Sequence, residues 1–260
     1  MCLILFAYRQ HTDYPLILIA NRDEYYARPT RNAGWWDDKP MLAGRDLEAG
    51  GTWLGISREG RFAAVTNVRE PGGMNPGKKS RGELTVDFLA GATPAEAYLQ
   101  ELMTRDGDYA GFNLLLGDSR GFWFYSNRNH GIRLIEPGVH GICNGAFDEP
   151  WPKLSSGKAE LASMLEGDIV ASELMEILTD HQTAADHELP QTGVPLDVER
   201  MLSSRFIRSP EYGTRACTVL TIDASGIVEF SEQNYRDADH AGESVHQSFT
   251  LDPPGNFGSE

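Results

Sequence analysis

The 260-residue sequence predicts an α+β fold: a core of two mainly antiparallel sheets covered by helices. Three observations carry that expectation. Short apolar runs bounded by turn residues group at both ends of the chain, and segments with helix-start signals lie between them. No Gly-x-Gly-x-x-Gly follows a strand and opens a helix, which disfavours a parallel dinucleotide-binding sheet. No internal repeat or domain boundary interrupts the pattern, so residues 1–260 read as one domain.

The elements follow in order. Cys2 to Tyr8 and Pro15 to Ala20 read as strands joined by a polar turn, a hairpin whose second strand ends in Asn21-Arg22-Asp23-Glu24. Thr52 to Ser57 and Arg61 to Asn67 form a second hairpin around Glu59-Gly60. Residues 71–79 are a loop by composition, either a connector or a lid. Ser80-Arg81-Gly82-Glu83 is a capping box ahead of a helix over Leu84 to Leu89, and Thr93-Pro94-Ala95-Glu96 places Pro at the first position of a helix running to Met103. Phe112 to Leu116, Gly121 to Ser126, Ile132 to Ile135 and Val139 to Cys143 read as a meander. Residues 153–165 and 169–180 are helical, the second with Val170, Leu174, Ile177 and Leu178 on one face. The stretch 181–196, with Pro190, Gly193 and Pro195, reads as a linker. Strands at Ala216 to Ile222, Gly226 to Ser231 and about Glu243 to Leu251 precede a loose tail at 252–260.

Composition excludes several classes. A hydrophobic content of 40% supports a substantial core, while no stretch approaches the roughly 20 apolar residues of a membrane helix. The N-terminus lacks a basic region followed by a long apolar one, so a cytoplasmic protein is expected. The net charge is −15, from 38 acidic against 23 basic residues. Such a surface repels nucleic acid and anionic lipid headgroups. A local basic funnel for an anionic substrate would draw on Arg22, Arg69, Arg205, Arg208 and Arg215. Three cysteines without a Cys-x-x-Cys spacing argue against a disulfide framework and a zinc site, and Cys143 and Cys217 sit in apolar runs as core residues. The seven histidines are dispersed, so neither metal nor cofactor is expected.

Cys2 carries the chemistry. Removal of Met1 would place a thiol and a free α-amine on one residue, and an α-amine with a reference pKa of about 7.7–8.0 can accept the thiol proton. The hairpin brings Arg22 and Asp23 back beside it, Arg22 to stabilise a thiolate and Asp23 to orient the ammonium. Position 2 reads equally as a buried strand cysteine with no chemistry.

Six segments in order along the chain extend this reading: Met1-Cys2-Leu3-Ile4, Ala20 to Glu24, Gly50-Gly51-Thr52-Trp53-Leu54-Gly55, Val65-Thr66-Asn67-Val68-Arg69, Cys143-Asn144-Gly145 with Pro150-Trp151-Pro152-Lys153, and Tyr212-Gly213-Thr214-Arg215. Together they resemble the Transport and Golgi organisation 2 family, also named NRDE after its second motif. That family is similar to the N-terminal-nucleophile (Ntn) hydrolases of the choloylglycine hydrolase and penicillin V acylase type. The resemblance implies a four-layer αββα sandwich. Family roles proposed are haem trafficking and the handling of lipids or acyl-CoA.

By that resemblance Cys2, Arg22, Asp23, Asn144 and Arg215 are catalytic. Asn144-Gly145-Ala146-Phe147-Asp148 looks like the segment that supplies an oxyanion donor, and Arg215 like the late Arg beside the nucleophile. Asn67, Trp53 and Arg69 are expected to contact substrate. Arg22 and Asp23 are adjacent here, whereas bile-salt hydrolases separate the pair by two residues. Two function classes result: a hydrolase of a small acyl amide, ester or thioester, or a non-catalytic carrier of haem or an acyl lipid on the same fold. Covalent reactivity at Cys2 separates them.

Overall fold

The computed structural model describes residues 2–70 and 78–252. Met1, most of the 71–79 loop and the tail from 253 lie outside the described residues. Thirteen strands form two antiparallel sheets among the described residues. The first has six strands in the order β10 (Gly138–Ile142), β1 (Cys2–Tyr8), β2 (Leu16–Tyr25), β11 (Tyr212–Ile222), β12 (Ile227–Tyr235) and β13 (Ala241–Thr250). The second has seven in chain order: β3 (Thr30–Trp35), β4 (Met41–Asp46), β5 (Leu54–Ser57), β6 (Phe62–Asn67), β7 (Phe112–Asp118), β8 (Gly121–Ser126) and β9 (Arg133–Leu134).

Strand alternation builds the layers. On β1, Ile4, Phe6 and Tyr8 enter a cluster with Leu54, Ile56, Phe62 and Phe122 between the two sheets. Leu3, Leu5 and Ala7 face the opposite way, toward Leu154, Leu161, Leu174 and Leu178 of the helices α3 (Pro152–Met164) and α4 (Ala171–Leu178). The seven-stranded sheet buries its outer face under Leu84, Phe88 and Leu89 of α1 (Gly82–Ala90) and Leu99 and Leu102 of α2 (Ala95–Met103). Three apolar clusters therefore separate four layers, αββα, as expected.

Several elements differ from the sequence reading. β2 does not stop at Ala20 but runs through Asn21-Arg22-Asp23-Glu24, with Asn21, Arg22 and Asp23 buried. Strand length here is set by pairing with both β1 and β11, not by apolar content. The segment Val139 to Cys143 leaves the expected meander: β10 crosses to the other sheet and pairs with β1. β3, β4 and the short helix α5 (Leu196–Leu202) are additional. The capping box at Ser80 does not form; the N-cap of α1 is Arg81, in helical geometry. Val170, expected on the buried face of α4, is exposed.

Candidate active site

Cys2 opens β1 and pairs in register with Arg22 of β2. Alternation gives Cys2 the parity of Ile4, and Arg22 that of Ala20, so both belong to the face between the sheets. Arg22 is 5% exposed. Its guanidinium lies 4.5 Å from the Trp53 ring centroid and 3.8 Å from Asp46 Oδ2. Trp53 can lie flat beneath it because of Gly44, where a Cβ would come 2.1 Å from the indole. Arg22 thus carries a fixed positive charge beside the residue 2 side chain, braced by an aromatic face.

Asp23 has the opposite parity and faces the helical layer with Ile17, Ile19 and Asn21. It is 1% exposed. Thr214 Oγ1 donates to its Oδ1 at 2.8 Å, and the Tyr212 phenol donates to its backbone carbonyl at 3.1 Å. Burial pushes the Asp23 carboxyl above the usual range; the charge of Lys153 and the Thr214 hydroxyl act against it. Burial likewise pushes the Cys2 thiol up, and Asp23 adds to that, while Arg22 and the Asp23 N–H favour the thiolate. Burial therefore favours the protonated sulfur over the thiolate. An attack by it needs a base at that moment, not a preformed thiolate.

The segment after β10 completes the site. Ile4 pairs with Ile142, where β10 ends, and Asn144 follows two residues later in the bend that leaves the strand. Asn144 Nδ2 donates to the Asn67 carbonyl at 2.8 Å, which leaves its second N–H for another acceptor. Its Oδ1 is buried with no hydrogen-bond partner among the described residues. Arg69 N–H donates to the Asn144 carbonyl at 2.7 Å. Thr66 Oγ1 donates to the Cys143 carbonyl at 2.6 Å and Asn113 Nδ2 to the Gly145 carbonyl at 2.8 Å, so β6 and β7 of one sheet fasten a segment leaving the other.

Arg69 pairs with Glu199 of α5 at 2.7 Å, both nearly buried, and lies over Trp151 at 4.9 Å. Arg69 and Trp151 border a cleft of about 450 Å³ lined also by Asn144, Gly145, Ser126 and Thr192. Cys2 is not among its lining residues, so the cleft abuts the site from the Asn144 side. Arg215, at the bulge of β11, gives Nη1 to the carbonyls of Tyr25, Tyr26 and Arg28 at 2.8–3.1 Å. It braces the turn leaving β2. The expected basic funnel is smaller than five arginines. Arg205 is held by Glu160 and Asp180 against α3, and Arg208 pairs with Asp239 at the surface. Cys143 and Cys217 are fully buried, with thiols pushed up by burial.

The sequence reading missed Asn113, Glu199 and Lys153. Asn113 had a signal, an amide interrupting the apolar run of β7, and Lys153 closes the segment Pro150-Trp151-Pro152-Lys153; Glu199 looks like any solvated charge. Among the described residues no group of three or more His, Cys, Asp or Glu is placed to hold a metal ion, and no helix is long and apolar enough to cross a membrane.

Two antiparallel sheets packed in four αββα layers are the fold of the Ntn hydrolases. A mutant conjugated bile acid hydrolase from Clostridium perfringens superposes with a TM-score of 0.51 at 11% identity, over 100% of this chain and 95% of that one. The profile of the family Transport and Golgi organisation 2 matches residues 1–237. The chain is 33% identical to the Transport and Golgi organization 2 homolog of Mus musculus, over 96% of this chain and 99% of the mouse protein. To the Homo sapiens homolog it is 34% identical, over 92% and 95% of the two chains. The chain belongs to the Transport and Golgi organisation 2 family.

Proposed function

We propose that this protein is an N-terminal-cysteine hydrolase of small acyl amides, esters or thioesters. One observation carries the reading: Cys2 is paired directly with the buried, Trp53-braced Arg22, with the buried Asp23 next to it, while Asn144 follows the end of β10, the strand that pairs with β1 on its other side. A structural cysteine needs none of that. The bile acid hydrolase shares the fold and no more than that is taken from it.

In the proposed reaction Met1 has been removed, and the Cys2 α-amine accepts the proton of Sγ–H as sulfur attacks the acyl carbonyl. Negative charge develops on the carbonyl oxygen, where the second Nδ2–H of Asn144 donates to it. The tetrahedral species collapses to a Cys2 thioester. The leaving amine, alcohol or thiol departs with the proton now held by the α-ammonium. Water then attacks the thioester as the α-amine takes its proton, the acyl C–Sγ bond breaks to release the carboxylic acid, and the α-ammonium returns the proton to the Cys2 sulfur. Asp23 orients the ammonium, and Arg22 favours the sulfur anion during both transfers. Asn67 fixes Asn144, while Trp53 and Arg69 bound the approach. Arg215 acts at one remove, through the turn that fixes the end of β2.

The test is turnover of a panel of acyl amides, esters and thioesters by processed protein and by Cys2→Ala. Loss of all turnover in Cys2→Ala with ligand binding retained supports the reading. Haem or lipid transfer that persists in Cys2→Ala, with no hydrolysis by the parent protein, replaces it with a carrier.

A further inference from the structure

The mechanism above makes no use of Lys153. Its side chain is 3% exposed, and Nζ has no hydrogen-bond partner among the described residues. It sits in the first turn of α3, where the exposed N–H groups and the helix dipole disfavour a cation. A lysine nitrogen withdrawn from water without a partner is costly and calls for a reason nearby.

The fold shows what lies nearby. α3 packs against the outer face of β1 and β10, with Leu154 and Leu161 beside Leu3 and Leu5 in the outer apolar cluster. Asp23 faces that same layer by strand parity, and its carboxylate, held by Thr214, is buried as deeply as Lys153. We propose that Lys153 is a positioning residue, whose ammonium keeps the buried Asp23 ionised and so able to orient the α-amine of Cys2. The proposal rests on the hydrolase reading for its functional half, and for its electrostatic half on the burial of the unpartnered Lys153 Nζ and of Asp23 toward one layer. Among the charges facing Asp23, Lys153 opposes the burial penalty most strongly. Arg22, Cys2, Tyr26, Tyr212 and Cys217 also interact with Asp23 through their charges, Arg22 and Cys2 from the other face of the sheet, and Lys153 interacts likewise with Cys143.

The test is a carboxyl-carbon NMR titration of Asp23, its signal assigned by its loss in Asp23→Asn, in the parent protein, Lys153→Met and Lys153→Arg. The Asp23 midpoint is expected to rise by about one pH unit or more in Lys153→Met and to return in Lys153→Arg. The Tm of Lys153→Met should fall at neutral pH together with that rise, because the buried Asp23 carboxylate loses the charge that offsets its burial. An unmoved midpoint overturns the proposal, and a fall in Tm with that unmoved midpoint shows a packing role. If Lys153→Met does not fold, Lys153→Gln carries the same forecast. A second readout is Cys2 acylation by an acyl thioester at neutral pH. It should slow about tenfold in Lys153→Met, the equivalent of one unit, and no further when Asp23→Asn is added. No acylation of the parent protein sinks the hydrolase reading, while the titration still judges the Lys153–Asp23 pair.

Discussion

Burial raises all three thiols, yet their settings differ. Cys143 and Cys217 are sealed in the outer apolar cluster, whereas Cys2 is half-buried beside Arg22. Iodoacetamide at neutral pH should therefore modify Cys2 first in the folded protein, read by peptide mass spectrometry; preferential labelling of Cys143 or Cys217 contradicts the account. Asn144→Ala should lower turnover by about 10²–10³-fold at unchanged KM if its amide serves the oxyanion, and raise KM at full kcat if it is only a substrate contact. Asp148, five residues after Cys143, holds this segment. Burial would raise its carboxyl, but His140, Lys158 and the Gly141 N–H outweigh that and leave it below its usual range. A lowered carboxyl contributes stability above its unfolded pKa of about 3.9, lost as pH falls through the folded value. Asn also tolerates the left-handed backbone found at Asp148 (φ 56°). Asp148→Asn should thus cost about 1–2 kcal/mol at neutral pH, a gap in Tm that closes below about pH 4.

At the scale of elements, the hairpin was legible because β1 and the start of β2 are unbroken apolar runs, and it placed Arg22 opposite Cys2. The rest of β2 was not, because Asn21-Arg22-Asp23-Glu24 is polar by composition and becomes strand only through its two paired neighbours. β3 and β4 carry Arg, Asn and Gly in place of alternation and owe their form to sheet pairing. The motif at α1 failed for a local reason: Gly82 is pressed against Gly51 and Thr52, and the carbonyl of Gly82 accepts from Thr52 N–H. α2 has a cap no local pattern could reveal, the Asp118 side chain of β7 accepting from Ala95 N–H at 2.7 Å. Asp118→Ala should cost about 1 kcal/mol in urea unfolding and leave Cys2 labelling unchanged. Gly44→Ala is expected to do more, about 1–3 kcal/mol, because its methyl meets the Trp53 indole. With Trp53 displaced from Arg22, Cys2 labelling should slow as well.

For the whole molecule, the separation of strands and helices along the chain announced layers, and the layers are there. What could not be read was which sheet each strand joins. β10 follows β7, β8 and β9 in sequence but pairs with β1, a long-range choice that local periodicity does not encode. That choice makes the site. It sets the Asn144 segment at the end of a strand of the first sheet while Thr66 and Asn113 fasten the same segment to the second, so both sheets must be folded before the proposed oxyanion donor is in place. The central claim is that this assembly exists for a covalent step at Cys2. Intact-mass spectrometry of the processed protein, incubated with acyl thioesters and acyl amides and quenched in acid, tests it most directly. The account predicts an acyl adduct that maps to Cys2 and is absent from Cys2→Ala; a protein that turns these compounds over with no Cys2 adduct, or carries its adduct on Cys143 or Cys217, contradicts it.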